Sequence, residues 1–184
     1  MAAVKLIPKQ KIVSAAVEVI RKNGVSALNA RTLAKQLNCS TRPIYLSFSG
    51  MEEVRHAAIK EIYNLFNGFV KREIESGKYP VYKSYGMAYI RFACEEKELF
   101  KAVYMTEQSK EEKDEEGYAA VISAVKNGTG LDRERAELFH FESWIFVHGI
   151  AAMAATGYAE FDEDLTQKLL TDMFEGLKAR FGIK

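Results

Sequence analysis

A chain of 184 residues that is 48% hydrophobic and 28% charged has the make-up of a packed globular protein and excludes a disordered one. No apolar run reaches the roughly 18–20 residues that span a bilayer, the nearest being Trp144 to Tyr158, and the opening MAAVKLIPKQK has no apolar signal core, so a cytoplasmic protein without a membrane partner is expected. The net charge of +1 hides a split: residues 1–50 carry eight basic side chains and one acid, Glu18, a net of +7, whereas residues 51–184 carry 18 bases and 24 acids, a net of −6.

In chain order the signals are helical. Ile12, Ala15, Ala16, Val19 and Ile20 recur on one helical face, and Asn23-Gly24 ends that helix. Asn29 is placed to cap a short second helix carrying Leu33, Ala34 and Leu37. Asn38-Cys39 makes a tight turn, Ser40 is the expected cap of a third short helix, and Pro43 sits in its first turn, where a missing N–H does no harm. A long helix follows over about 51–76, with Ala58, Ile62, Leu65 and Phe69 on one face, stopped by Gly77. Pro80 opens the next helix, and no proline follows it, which suits long helices. Helices are read at about 82–94, 97–105, 118–126, 131–155 and 164–181. Residues 108–116 form a charged linker or helix start, Asn127-Gly128-Thr129-Gly130 is a stop, and Leu165, Leu169, Met173, Leu177 and Phe181 face inward on the last helix. With no period-2 alternation, the fold class is all-α: three short helices, then about six longer ones.

The basic head directs attention to residues 29–48. A helix-turn-helix that reads DNA braces one helix behind a second, whose N-terminal end presents small polar and basic side chains to the major groove. The second helix here begins Ser40-Thr41-Arg42-Pro43-Ile44-Tyr45. Thr41 and Arg42 suit the groove, and Ile44 and Phe48 suit the core. The segment Ile12 to Val54 resembles the N-terminal domain of the tetracycline-repressor (TetR) family of bacterial transcription regulators. The resemblance rests on Ile12, Ala15, Ala16, Gly24, Arg31-x-Leu33-Ala34-x-x-Leu37, Ser40, Ile44-Tyr45, Phe48 and Glu52-Glu53-Val54. It implies that Tyr45 contacts phosphate, that Arg31 also lies at the DNA, and that Thr41, Arg42 and Pro43 lie against bases; Thr32 and Ser47 complete the candidate set. Two positions depart from the family pattern. Asn38 stands where a turn glycine is common, and Met51 where a lysine often supplies a phosphate contact.

Beyond the head, Trp144-x-x-x-His148-Gly149 resembles a signature of some TetR-family C-terminal domains. The helix over 131–155 is apolar nearly all round from Phe141 to Ala155, so it needs cover on both sides, from its own domain and either a second subunit or further core. Val147, Ala151, Ala155 and Phe174 are the candidate interface of a homodimer. Tyr85, Tyr89, Phe92, Phe100, Tyr104, Phe141, Trp144 and His148 are either core or the lining of an effector pocket. Cys39 and Cys94 have no ligand spacing with the three histidines, so no metal or cofactor is expected. Hydrolase, zinc-peptidase and phosphate-loop motifs are missing, which excludes the commoner enzyme classes. The acidic run at 111–116 reads as a solvated surface. The resemblance implies a DNA-binding domain over 1–50 and a ligand-binding and dimerisation domain over 51–184. Together they would form a homodimeric repressor of a palindromic operator on double-stranded DNA, released by a small-molecule effector. A helical ligand- or protein-binding module that does not bind DNA is the alternative, kept open by Met51.

Overall fold

The computed structural model describes residues 6–106 and 115–183. Among these residues there are nine α-helices, one short 3-10 turn and no strand, as the all-α reading expects. They form two compact units, the first drawn from residues 6–65 and 96–106, the second from 66–95 and 115–183. The division between the two units falls inside the fourth helix, between Leu65 and Phe66.

The first unit starts with α1 (Lys9–Asn23), which buries Ile12, Val13, Ala16, Val17, Val19 and Ile20. It ends at Gly24, whose φ of +79° suits glycine and where a Cβ would stand 3.0 Å from Glu98 Oε2. After a 3-10 turn (Val25–Ala27) come α2 (Ala30–Gln36), α3 (Arg42–Ser47) and the first half of α4 (Met51–Glu75). The short α6 (Lys97–Tyr104) packs on α1 and the 3-10 turn, burying Leu99, Phe100, Ala102 and Val103. Arg21 on α1 reaches Glu96 at 2.8 Å and also pairs with Glu18, so one positive charge of the basic head is neutralised at this junction.

The second unit holds the end of α4, then α5 (Val81–Glu95), α7 (Glu115–Thr129), α8 (Arg133–Thr156) and α9 (Glu163–Phe181). Helix α5 lies against α8, α7 and α9. Gly86 makes this approach possible: a Cβ there would stand 3.1 Å from Leu170 Cδ1 and 3.8 Å from Val147 Cγ2. Val121, Ile122, Val125, Leu131, Ala136 and Phe139 form a core cluster, covered by Tyr82, Tyr85, Phe174, Leu177 and Phe181. Side chains cap α8 and α9 at their starts: Asp132 accepts from Arg135 N at 2.9 Å and Asp162 from Leu165 N at 2.8 Å.

Four expectations change. The residue flanking α3 is Thr41, not Ser40, and no side chain caps it; Pro43 lacks the N–H such a cap would satisfy. Helix α7 runs through Asn127 and Gly128 and stops at Gly130, the glycine with positive φ (72°). On α9 the buried residues are Thr166 and Leu170, and Leu165 faces outward. Finally, α8 is long and apolar enough to cross a membrane on length and composition, against the expectation of no such run. Its packing on α5, α7 and α9 accounts for apolar residues on that side. The charged segment expected at 108–116 lies outside the described residues up to 114; Glu115 and Glu116 open α7.

Candidate nucleic-acid interface

Helix α2 is short and depends on its ends. Asn29 Oδ1 accepts from Arg31 N and Thr32 N, each at 3.0 Å, and Thr32 Oγ1 accepts in return from Asn29 N at 3.1 Å, a reciprocal capping box. At the other end Asn38 takes a left-handed φ of 51°. Cys39 N reaches Ala34 O at 3.0 Å and Asn38 N reaches Lys35 O at 3.1 Å. This paired closure turns the chain sharply into α3, so Asn38 does the work for which glycine is common in such turns. Ile44 and Phe48 are buried as expected and seat α3 on the unit.

On α3 the buried positions are Pro43 and Ile44, with Ser47 half-buried. At 100° per residue the opposite face carries Arg42, Tyr45 and Leu46. Arg42 is exposed, Tyr45 is 51% exposed and Leu46 54%. Arg31 and Lys35 are exposed on α2. Neither they nor Arg42 form a salt bridge among the described residues, which leaves three cations available to an anion. Lys9 is engaged: it reaches Glu53 at 3.1 Å and lies 4.8 Å above the Phe48 ring. Glu53 also accepts from Ser49 N (2.7 Å) and Ser49 Oγ (2.9 Å), and these bonds, with Lys9, pull its carboxyl down to about 2.

Three of the expected DNA residues are engaged within their own chain. Pro43 is buried within the unit. The Thr32 hydroxyl is spent on the cap and on Ala27 O at 2.7 Å. Ser47 Oγ donates to Ile7 O at 3.2 Å and ties the segment before α1 to α3. Thr41, half-buried, stays at the helix entrance.

In the second unit the tyrosines and histidines pair. Tyr89 Oη lies 2.9 Å from His148 Nδ1, and Trp144 stacks on His148 (4.9 Å between centroids) and on Phe141 (6.3 Å). Phe66 packs edge-on against Tyr89 and tilted against Phe92. Tyr82 Oη lies 3.1 Å from His140 Nδ1; burial pushes the Tyr82 phenol up to about 12 and the His140 imidazole down to about 4, so His140 is neutral. Burial also lowers His148. Of the expected pocket residues, Tyr89, Phe92, Phe141, Trp144 and His148 share this aromatic cluster. Tyr85 instead lines an open cleft of about 440 Å³ with Asn67, Val70, Lys71, Ile74, Glu75, Glu116, Gly117 and Ala120. Phe100 and Tyr104 belong to the first unit, where their rings lie 5.2 Å apart and Tyr104 meets Tyr63 edge-on. Among the described residues no group of histidine, cysteine and carboxylate side chains is gathered that could hold a metal.

The family model "Bacterial regulatory proteins, tetR family" matches residues 12–58, and "Tetracyclin repressor-like, C-terminal domain" matches residues 82–177, more than half of the chain. The chain belongs to the TetR family. It is a DNA-binding transcriptional regulator. No curated protein matches it. Among solved structures, a protein of unknown function from Rhodococcus sp. RHA1 superposes with a TM-score of 0.73 at 17% identity, covering 98% of each chain. A TetR-family member from Streptomyces coelicolor A3 gives 0.66 at 17%, covering 90% of this chain and 96% of its own. A TetR variant from Acinetobacter baumannii AYE in complex with minocycline gives 0.58 at 15%, covering 94% and 93%. At these identities the likeness is one of fold.

In this TetR-family chain the residues expected at a dimer interface are covered from within. Val147, Ala151 and Ala155 are buried in their own chain, and Phe174 packs on the core cluster. The face of α8 left open carries Leu138, Phe141, Ile145, Gly149 and Ala152, spaced by threes and fours along one stripe. Phe141 and Ile145 are 55% and 54% exposed, and a Cβ built on Gly149 meets nothing within 4 Å. Sequence reasoning also passed over Leu46. Its spacing from Arg42 (i, i+4) was the available signal.

Proposed function

We propose that this regulator is a homodimeric repressor that holds a palindromic operator through α3 and releases it when a small molecule binds the second unit. The observation that carries the DNA reading is the outward face of α3. It offers Arg42 and Tyr45, beside unpaired Arg31 and Lys35, while Ile44 and Phe48 fix the helix from behind. Arg42, with Thr41 at the helix entrance, reads base edges; Tyr45, Arg31 and Lys35 hold phosphates. Met51 gives up one phosphate contact that a lysine often makes, and the remaining cations supply the electrostatics.

A two-fold dimer presents its two recognition helices about 34 Å apart, to successive major grooves. The open stripe of α8 supports dimerisation: an apolar face with a glycine and an alanine suits close packing on a copy of itself. For the effector, the cleft beside Tyr85 supports a binding site with an apolar floor (Val70, Ile74, Ala120) and polar edges (Asn67, Lys71, Glu75, Glu116), and the Tyr89–His148 pair supports a second polar anchor nearer the aromatic cluster. An effector shifts DNA affinity only through the difference in its own affinity for the two states, typically about 1–3 kcal/mol. An operator-bound protein works where the chromosome is, in the cytoplasm.

The test is selection of duplexes from a random library by the purified protein, followed by binding across salt concentrations. Recovery of a palindrome, with log affinity falling steeply against log salt, supports the reading. Failure to enrich any sequence from protein stripped of co-purified small molecules overturns it.

A further inference from the structure

Among the described residues Leu46 is a large apolar side chain left exposed on α3. It is 54% exposed, and between residues 29 and 48 only Tyr45 is another large hydrophobic left in water. Helix geometry places it. Leu46 follows Arg42 by four residues, about 40° around and about 6 Å along the axis, so the two share one face. The opposite face is occupied by Pro43 and Ile44 against the core. Any surface that receives Arg42 therefore receives Leu46 one turn later. If that surface is a major groove, Leu46 has one natural counterpart. Base edges there present hydrogen-bond donors and acceptors, which a leucine cannot use, and a single apolar group, the C5-methyl of thymine.

We infer that Leu46 is a specificity-determining residue that reads a thymine methyl in each operator half-site, one helical turn beyond the base contacted by Arg42. The inference rests on the reading that α3 enters the major groove. Arg42 then selects by hydrogen bonds and Leu46 by apolar contact, so a six-residue helix of under two turns, too short for many contacts, still discriminates at two places. Burying a methyl group against Leu46 also removes apolar surface of the protein from water, a gain that non-specific DNA contact on phosphates does not provide.

The experiment uses the full chain and the duplex it enriches from a random library, resynthesised with uracil replacing thymine one position at a time. Uracil keeps the base pair and removes only the methyl. The expected result is one sensitive position per half-site, where uracil weakens wild-type binding about four-fold, and about fifteen-fold when both half-sites are changed, the worth of one buried methyl each. Leu46→Ala, at an exposed site and with its fold checked by circular dichroism, is expected to bind the thymine duplex more weakly by a similar factor and to be indifferent to uracil there. Leu46→Gln binds more weakly still and loses the thymine preference on reselection. Steep salt-dependent binding with no uracil-sensitive position, or a Leu46→Ala variant that keeps the wild-type uracil penalty, overturns the role of Leu46 while leaving α3 as the DNA-binding helix. An enriched site without thymine in each half also overturns it. Absence of any enriched duplex removes the DNA reading itself, and this inference with it.

Discussion

Arg42 and Tyr45 lie on the same face of α3, yet they have different chemistry to offer DNA. A guanidinium near the start of the helix can donate two hydrogen bonds to a guanine edge, whereas a phenol half in solvent offers one hydroxyl. Arg42→Ala is expected to cost about 1–3 kcal/mol of operator affinity and to relax preference at one base pair per half-site. Tyr45→Phe is expected to weaken all sequences alike. Both are read by competition binding against a panel of single-base operator variants. Equal loss on every variant for Arg42→Ala would reassign it to phosphate. His140 carries a different kind of test. Its imidazole sits at about 4 in the folded protein because burial penalises the charge, against about 6.5 when unfolded. A base with a depressed folded pKa favours the folded state fully above pH 6.5. That contribution is lost as pH falls, because the unfolded chain takes up a proton that the folded chain refuses until about pH 4. Over that window the loss is on the order of 3 kcal/mol. His140→Phe is expected to flatten the fall of unfolding free energy between pH 6.5 and 4 relative to wild type, measured by urea titration. An unchanged slope would show that His140 is solvated enough to titrate normally.

At the scale of elements, α2 shows how much a short helix owes to its ends. Seven residues cannot sustain a helix by propensity, so the Asn29–Thr32 box and the Asn38 closure hold it in place behind α3. Asn29→Ala is expected to lower global stability by about 1 kcal/mol, read from the denaturant midpoint with the slope unchanged. Operator affinity should fall as α2 loosens behind the reading helix. Intact stability would mean that water or Thr32 replaces the cap. These ends were legible in the sequence because capping is local: Asn29, Asn38, Gly24 and the placement of Pro43 announce themselves within four residues. What was not legible was phase. Helix α8 is apolar nearly all round, so its sequence does not say which side its own chain covers; that Val147, Ala151 and Ala155 are buried, with α5 approaching Val147 at Gly86, is visible only in the fold. On α9 a register built on Leu165 missed the buried pair Thr166 and Leu170 because a buried threonine, bonded to Asp162 O at 2.7 Å, does not look apolar in sequence. Likewise Thr41, Arg42 and Pro43 are contiguous in sequence, but successive residues on a helix point 100° apart, and Pro43 turns inward.

For the whole molecule, the proposed function would divide a linkage between the two units: the candidate DNA contacts lie in the first, the cleft and the open face of α8 in the second. In the proposed reading that linkage needs a dimer, because one α3 with few base contacts would bind a half-site weakly, and joining two raises affinity by roughly 10²–10⁴ through effective concentration alone. In that reading the stripe Leu138, Phe141, Ile145, Gly149 and Ala152 is where a second copy would remove apolar surface from water, and Gly149 is where its backbone could come closest. Ile145→Glu puts a carboxylate into that contact while leaving the chain's own core alone, since Ile145 is 54% exposed within it. The expected outcome is a folded monomer by sedimentation velocity, with an unchanged circular dichroism spectrum and palindrome affinity reduced by at least about a hundred-fold. Binding to an isolated half-site should hardly change, which separates loss of pairing from loss of the reading helix. Val147→Glu is the contrasting variant: Val147 is buried in its own chain, and an unpaired charge there is expected to unfold the second unit rather than release an intact monomer. A persistent dimer with Ile145→Glu would move the interface away from this face of α8, and with it the geometry that sets the spacing of the operator half-sites.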